Sequence, residues 1–114
     1  SRTAYPMVRY FTTQSRDFDV LDVDFTENGG RVSAAAVVQN HSAEARTIVM
    51  VMTEKSPTGA VEGVYSSRVV TVGPGTRETV SIDAAAAAEK AVSVFFLTDW
   101  TDCIPVKAAV YERK

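Results

Sequence analysis

Apolar and polar residues alternate along most of this chain with the two-residue period of β-strands. Residues 18–25 and 31–39 alternate strictly enough to predict half-buried strands, because successive side chains of a strand point to opposite faces. Residues 47–52 and 91–97 are apolar at nearly every position and rich in β-branched, aromatic or other large side chains. Such runs are typical of central strands that are buried on both faces.

Turn signals separate these runs at regular intervals. Asn28-Gly29-Gly30 predicts a tight hairpin, since Asn and Gly tolerate positive φ. Pro and Gly mark further turns at residues 54–59 and 73–75, and Ser66-Ser67 divides two short strands. About seven strands at this spacing predict an all-β fold of the sandwich type.

One segment departs from the strand pattern. Residues 84–88 are five consecutive alanines, followed by Glu89 and Lys90 and preceded by Asp83. Alanine has the highest helix propensity, and Asp is a favourable N-cap. We therefore expect a short helical turn near residues 84–90.

The chain after the apolar run at 91–97 changes direction. The strand pattern breaks at Thr98 and Asp99 and resumes at 104–106, where Pro105 suits an edge or the start of a strand. The prediction is two strands of one sheet joined by a tight corner at residues 99–102.

The sandwich is expected to occupy residues 17–112. Residues 1–16 contain aromatics without a sustained period and are interpreted as a lead-in or a linker from a preceding domain. Because the chain starts at Ser1-Arg2-Thr3, we expect it to be an excised or processed piece of a longer protein.

Composition limits the range of functions. The 114 residues are 46% hydrophobic and 23% charged, which is ordinary for a soluble globular domain. A formal net charge of -2 gives no basic surface for nucleic acid, and no apolar run is long enough to span a bilayer. The single cysteine, Cys103, excludes an internal disulfide.

Candidate chemistry is sparse, and we expect neither an enzyme nor a cofactor. Asp17, Asp19, Asp22 and Asp24 suggest calcium by residue type, but their spacing along a predicted strand favours a solvated strand face. In that strand the apolar side chains expected to face the core are Leu21, Val23 and Phe25. His41, the only histidine, lies in a predicted turn and has no second histidine for a zinc pair.

Six short segments follow one another in the order of a known group of modules. They are Val38-Gln39-Asn40-His41-Ser42, residues 47–52, Thr58-Gly59, Val72-Gly73-Pro74-Gly75, residues 92–97 and Pro105-Val106. Over residues 18–111 the chain resembles the small immunoglobulin-like modules of large cell-surface and secreted proteins of Gram-positive bacteria. The Trp-Asp pair of that pattern falls on Leu97 and Thr98 here, and Asp99-Trp100 follows shortly after.

This resemblance implies an immunoglobulin-like or fibronectin-III-like sandwich at the cell surface or outside the cell. It implies a non-catalytic spacer or docking module, whose partners are neighbouring domains of the same polypeptide or other surface proteins. The alternative is a small carbohydrate-binding module that stacks sugar rings on exposed aromatics. Tyr65, Trp100 and Tyr111 are the candidate ligand-binding residues, although each also suits a position at the rim of the core.

Overall fold

The computed structural model describes residues 2–3, 5–8, 15–106 and 109–113, and within these ranges it contains ten β-strands and no helix. The predicted all-β fold is therefore confirmed. The strands are β1 (Arg2–Thr3), β2 (Tyr5–Val8), β3 (Phe18–Asn28), β4 (Arg31–Asn40), β5 (Arg46–Lys55), β6 (Val61–Ser66), β7 (Val70–Val72), β8 (Arg77–Ala87), β9 (Ala91–Leu97) and β10 (Ala109–Glu112).

The strands form two sheets, as expected of a sandwich. The first sheet has the order β1-β3-β4-β8, and the second has the order β2-β10-β9-β5-β6, with β7 also paired to β5. All the pairs of named strands are antiparallel. The count exceeds the predicted seven partly because the segment expected to be a lead-in contributes β1 and β2, which pair with β3 and β10.

The hydrophobic core lies between the two sheets. Every second residue of β4, β5 and β9 contributes to it, and its largest fully buried side chains include Phe18, Phe25 and Phe96. Phe25 lies opposite Ala34 in the β3–β4 register, so a small side chain sits beside a large one. The prediction of a central strand at 91–97 is confirmed, since β9 lies between β5 and β10.

Strand β3 contains a β-bulge that corrects one sequence prediction. The β3–β4 register shifts between Val20 and Asp22, so the face that points inward changes along the strand. Phe18 is buried before the bulge, and Val23 and Phe25 are buried after it. Leu21, which was expected to face the core, is the extra residue at this shift and is 45% exposed. The one-residue shift also reverses the faces of the side chains before the bulge relative to those after it.

The helical turn expected near residues 84–90 does not form. Residues 84–87 continue β8, and residues 88–90 form the turn before β9. The Asp83 side chain accepts a hydrogen bond from the Ser33 hydroxyl instead of capping a helix, and Ala86 is buried in register with Val32. Packing in the sheet has overridden the helix propensity of alanine, which is worth less than 1 kcal/mol per residue.

The predicted corner after β9 is present, but the strand expected to follow it at residues 104–106 is reduced to isolated bridges. Asp99 accepts hydrogen bonds from the backbone N–H groups of Thr101 and Asp102, which fixes the turn. The chain then returns alongside β9, where the Val106 N–H donates to the Phe96 carbonyl at 2.9 Å. Pro105, which has no N–H to donate, forms an isolated bridge with Leu97.

Candidate functional site

The sandwich is open on the side where β6 and β8 are the edge strands of the two sheets. Each is the last strand of its sheet, and the two contact each other across the sandwich. An open cleft of about 620 Å³ lies between them. The residues that line it include Arg31, Tyr65, Ser66, Ser81, Asp83 and Ala84.

Tyr65 lines the β6 side of this cleft and is held there by Glu54 of β5. The Tyr65 hydroxyl donates a hydrogen bond to Oε1 of the nearly buried Glu54 at 3.2 Å, and Glu54 Oε2 accepts the N–H of Ala87. Burial raises the pKa of Tyr65, and the nearby Glu54 carboxylate raises it further, whereas the Arg31 guanidinium acts in the opposite direction. This pair connects β5 and β6 of one sheet to the end of β8 in the other.

Gly63 leaves room for the same pair. A Cβ atom at position 63 would lie 2.7 Å from Glu54 Oε1 and 2.8 Å from the Tyr65 hydroxyl oxygen. Contacts this short cannot persist, so either side chain would have to move. Glycine therefore lets the Tyr65 side chain extend over the edge strand.

The β8 wall of the cleft is distorted by a bulge. The β4–β8 register shifts between Val32 and Ala34, and Ala84 has a φ of 42°, in the left-handed region. The Ser33 hydroxyl stabilises this bulge, because it accepts the Ala84 N–H at 2.8 Å and donates to Asp83. Arg31 donates to the Ala85 carbonyl across the same sheet.

The backbone of β6 presents free hydrogen-bonding groups to the open side. The Ser67 N–H donates to the Met50 carbonyl, and the groups that face β5 alternate along an antiparallel strand. Tyr65 therefore directs its backbone groups to β5, whereas Val64 and Ser66 direct theirs away from it. Within the described part of the chain, β5 is the only strand that pairs with β6.

The side chains of β6 are unusually apolar for an open edge. Val61 is 56% exposed and Val64 is 60% exposed. Edge strands are commonly protected by charges, bulges or proline. Strand β8 has such protection in Arg77, Glu78, Asp83 and the bulge at Ala84. In β6 the protection is confined to its first half, where Glu62 lies in a bulge between Val61 and Gly63.

The three predicted ligand-binding residues lie in three different places. Tyr65 lines the cleft, and Trp100 is 50% exposed on the corner that follows β9. Tyr111 packs against the core, with its ring edge-on to Phe96 at a centroid distance of 6.1 Å. Burial raises the pKa of the Tyr111 hydroxyl. The structure does not assemble the three rings into one flat surface.

The other residues singled out in the sequence lie outside the cleft. Asp17 pairs with Arg46 at 3.1 Å, while Asp19, Asp22 and Asp24 lie along β3. Among the described residues no group of three or more acidic, histidine or cysteine side chains is placed to hold a metal ion. His41 is exposed in the turn after β4.

Cys103 is exposed on the corner after β9, and its thiol donates to the Trp100 carbonyl. It does not contribute a small apolar side chain to the core, as a buried thiol would.

A second recess lies at the end of the sandwich near this corner. It has a volume of about 420 Å³, and its polar lining includes Asp17, Arg46, Asp99 and Asp102. Arg46 binds Asp17, and the Asp99 carboxylate is engaged by the backbone of its own turn. These groups mainly hold the loops together, so the β6–β8 cleft is the stronger candidate.

Sequence reasoning found Tyr65 but missed the other features of the cleft. Arg31, Gly63 and Asp83 are far apart in the chain and become neighbours only through the pairing of β4 with β8 and of β5 with β6. The segment Val61-Glu62-Gly63-Val64 did carry a signal, since its valines do not form a regular inward face.

Comparison of the chain with family models, with curated proteins and with solved structures finds no match. In the part of the chain that the structure describes, no helix has the length and apolar character needed to cross a membrane.

Proposed function

We propose that this chain is a non-catalytic interaction module of a larger exported bacterial protein, and that it binds an extended polypeptide segment along β6. The observation that carries the proposal is the open edge of β6, where Val64 and Ser66 direct their backbone groups outward and the Val64 side chain is exposed. An added strand would continue the second sheet through main-chain hydrogen bonds.

The cleft beside β6 supplies the second requirement of strand addition. In this mode of recognition the main chain provides affinity, and pockets for alternate side chains provide specificity. Side chains of an added strand that point inward would enter the space lined by Tyr65, Ile82 and Ala85. Side chains that point outward would lie beside Val64. A segment with apolar residues at alternate positions suits this arrangement.

The strand order supports an immunoglobulin-like or fibronectin-III-like sandwich. Strands β3, β4 and β8 belong to one sheet and β6, β5, β9 and β10 to the other, and the chain crosses between the sheets from β4 to β5, from β7 to β8 and from β8 to β9. Such sandwiches are common in cell-surface proteins, which agrees with an exported location.

Binding rather than turnover is the role that these residues suit. Hydrolysis requires a positioned base, an activated nucleophile and a site for developing charge. His41 is exposed in a turn, and the Asp83 carboxylate is held by the Ser33 hydroxyl. Glu54 is held by Tyr65 and Ala87. The polar groups around the cleft stabilise the fold and define the wall of a binding surface.

The test is selection of displayed random peptides on the immobilised chain, followed by binding measurements on two variants. Val64→Pro removes the outward N–H but no ladder bond to β5, and proline is tolerated on edge strands. Val64→Thr keeps both the N–H and the β-branched shape. We expect selected peptides to bind the parent and V64T similarly, and V64P about tenfold more weakly or worse.

Peptides that bind all three proteins equally would contradict the proposal, and so would the absence of selectable binders. Thermal unfolding of V64P and V64T checks that both variants remain folded.

Carbohydrate binding at the corner after β9 is the second candidate function. Trp100 is half exposed there, on a turn that Asp99 fixes by two hydrogen bonds to the backbone. An exposed tryptophan on a rigid turn can stack on a sugar ring. A glycan array that shows binding by the parent and its loss in Trp100→Ala would favour this function over strand addition.

A further inference from the structure

We infer that the segment that pairs with β6 can be β6 of a second copy of this chain, so that two molecules join their second sheets around a twofold axis at Val64. The inference rests on the proposed role of the β6 edge as a strand-binding site, and it names the partner. It follows from the direction of the backbone groups, the placement of Glu62 and the exposure of Val64.

The backbone restricts the possible registers. Strands can exchange ladder bonds only through residues whose N–H and C=O groups point outward, and in β6 these include Val64 and Ser66. A shift by one residue would pair inward groups with outward groups and would also reverse the faces of the side chains. The remaining registers are those in which residues with outward-pointing backbone groups lie opposite one another.

Apolar contact favours one register among these, in which Val64 lies opposite Val64 of the second copy. Glu62, which forms an ion pair with Lys90 of its own chain, then lies opposite the uncharged Ser66 of that copy. A register centred on Tyr65 would instead place each Val64 opposite Ser66, without a contact between the two valines. A register centred on Glu62 would oppose two carboxylates, which destabilises a strand pair. The Val64 register instead covers two side chains that are each 60% exposed in the single molecule.

The expected association is weak and depends on concentration. Strand β6 is short, with only 6 residues, and a strand pair of this length buries less surface than the standard-sized interface of a stable complex. The partners of Glu54 and Lys55 in β6 are Gly63 and Val61, so a bulge lies between them. The regular part of β6 is therefore limited to its second half. We therefore expect monomers in dilute solution and dimers at high concentration.

Sedimentation of the chain up to about 1 mM tests the association. The expected result is a rise in average mass with concentration for the parent and for V64T, and a constant monomer mass for V64P. A parent that stays monomeric throughout, or a V64P variant that associates as strongly as the parent, would overturn the inference.

Disulfide cross-linking tests the register and does not depend on the proline variant. In a Cys103→Ser background, Val64→Cys places two thiols opposite each other across the proposed axis, at a separation that a disulfide can bridge. Val61→Cys is the matched control, since Val61 is on the same strand and similarly exposed. In the Val64 register, two copies of residue 61 lie about 20 Å apart.

We expect V64C to form the covalent dimer at least tenfold faster than V61C under mild oxidation. Equal rates, or faster cross-linking of V61C, would overturn the proposed register. If the parent stays monomeric while selected peptides still lose affinity for V64P, self-pairing is wrong and the proposed function stands. If V64P weakens neither peptide binding nor self-association, both proposals are wrong.

Discussion

At the scale of single residues, buried side chains divide into those that fill space and those that satisfy hydrogen bonds. Phe96 is of the first kind, being 1% exposed in the core and in contact with the ring of Tyr111. Asn40 is of the second kind. It is fully buried, and its amide nitrogen donates to the carbonyls of Glu44 and Val72 at 2.8 and 2.9 Å. The two residues should respond to truncation for different physical reasons.

Phe96→Ala should lower the free energy of unfolding by about 3–5 kcal/mol, because it removes apolar contacts and leaves a cavity. Phe95→Ala is the matched control, since Phe95 is only partly buried on the other face of β9, opposite Val51. Urea denaturation should show a smaller loss for F95A. Equal losses would mean that the faces of β9 are wrongly assigned.

Asn40→Ala should lower the free energy of unfolding by about 1–3 kcal/mol, because it leaves the buried Val72 carbonyl without this donor. The Ser42 N–H also loses its acceptor, Asn40 Oδ1. The control is Gln39→Ala, where an exposed hydrogen bond to Arg77 is lost. Denaturation midpoints of the two variants compare the costs, and a midpoint for N40A no lower than that of Q39A would contradict the structural role.

At the scale of elements, β8 shows how sheet pairing determines the conformation of a sequence that favours helix. Its alternation at Val80 and Ile82 predicted the first half of the strand, and both side chains are buried. The second half follows the same edge of β4 despite its alanines, at the cost of the left-handed conformation at Ala84. The bulge there turns the end of β8 towards Glu54.

Ala84→Gly should raise the stability by about 1 kcal/mol, because glycine adopts a positive φ without the steric penalty of a Cβ atom. Ala85→Gly, next to it, should lower the stability, since Ala85 has an ordinary negative φ and glycine relieves no strain there. The substitution only increases the conformational entropy of the unfolded chain. Thermal unfolding of both variants tests the pair of effects. A lower midpoint for A84G would show that the bulge carries no strain.

At the scale of the whole molecule, stability depends on keeping two tyrosines protonated. The pKa of Tyr65 is raised above its ordinary value of 10.0 by burial and by Glu54, and the pKa of Tyr111 is raised by burial. A raised folded-state pKa gives a contribution to stability that is complete below the unfolded-state pKa and is lost as pH rises through the folded-state pKa.

The free energy of unfolding should therefore fall as the pH rises above about 10, the ordinary pKa of tyrosine, because the unfolded chain then ionises more readily than the folded one. The double variant Tyr65→Phe/Tyr111→Phe should show a shallower fall, since neither ring can then ionise. Urea denaturation at several pH values measures both slopes. Identical slopes for the parent and the double variant would show that other groups control the alkaline transition.

The sequence by itself determined the class of fold and most of the strands. Two-residue periodicity and turn residues depend only on local chain geometry, so β4, β5 and β9 and the turn at Gly29-Gly30 follow directly from them. The corner at Asp99 was also predictable, because its hydrogen bonds connect residues that are close in the chain.

Only the tertiary structure decided the bulges, the fate of the alanine run and the place of the candidate site. The exposure of Leu21 and the strand conformation of residues 84–87 depend on register with β4, which local propensity does not specify. Likewise, Glu54 meets Gly63 only because β5 pairs with β6, and Tyr65 and Asp83 line one cleft only because two sheets pack together. The free edge of β6 exists for the same reason, since an edge is a property of strand order and not of any single strand.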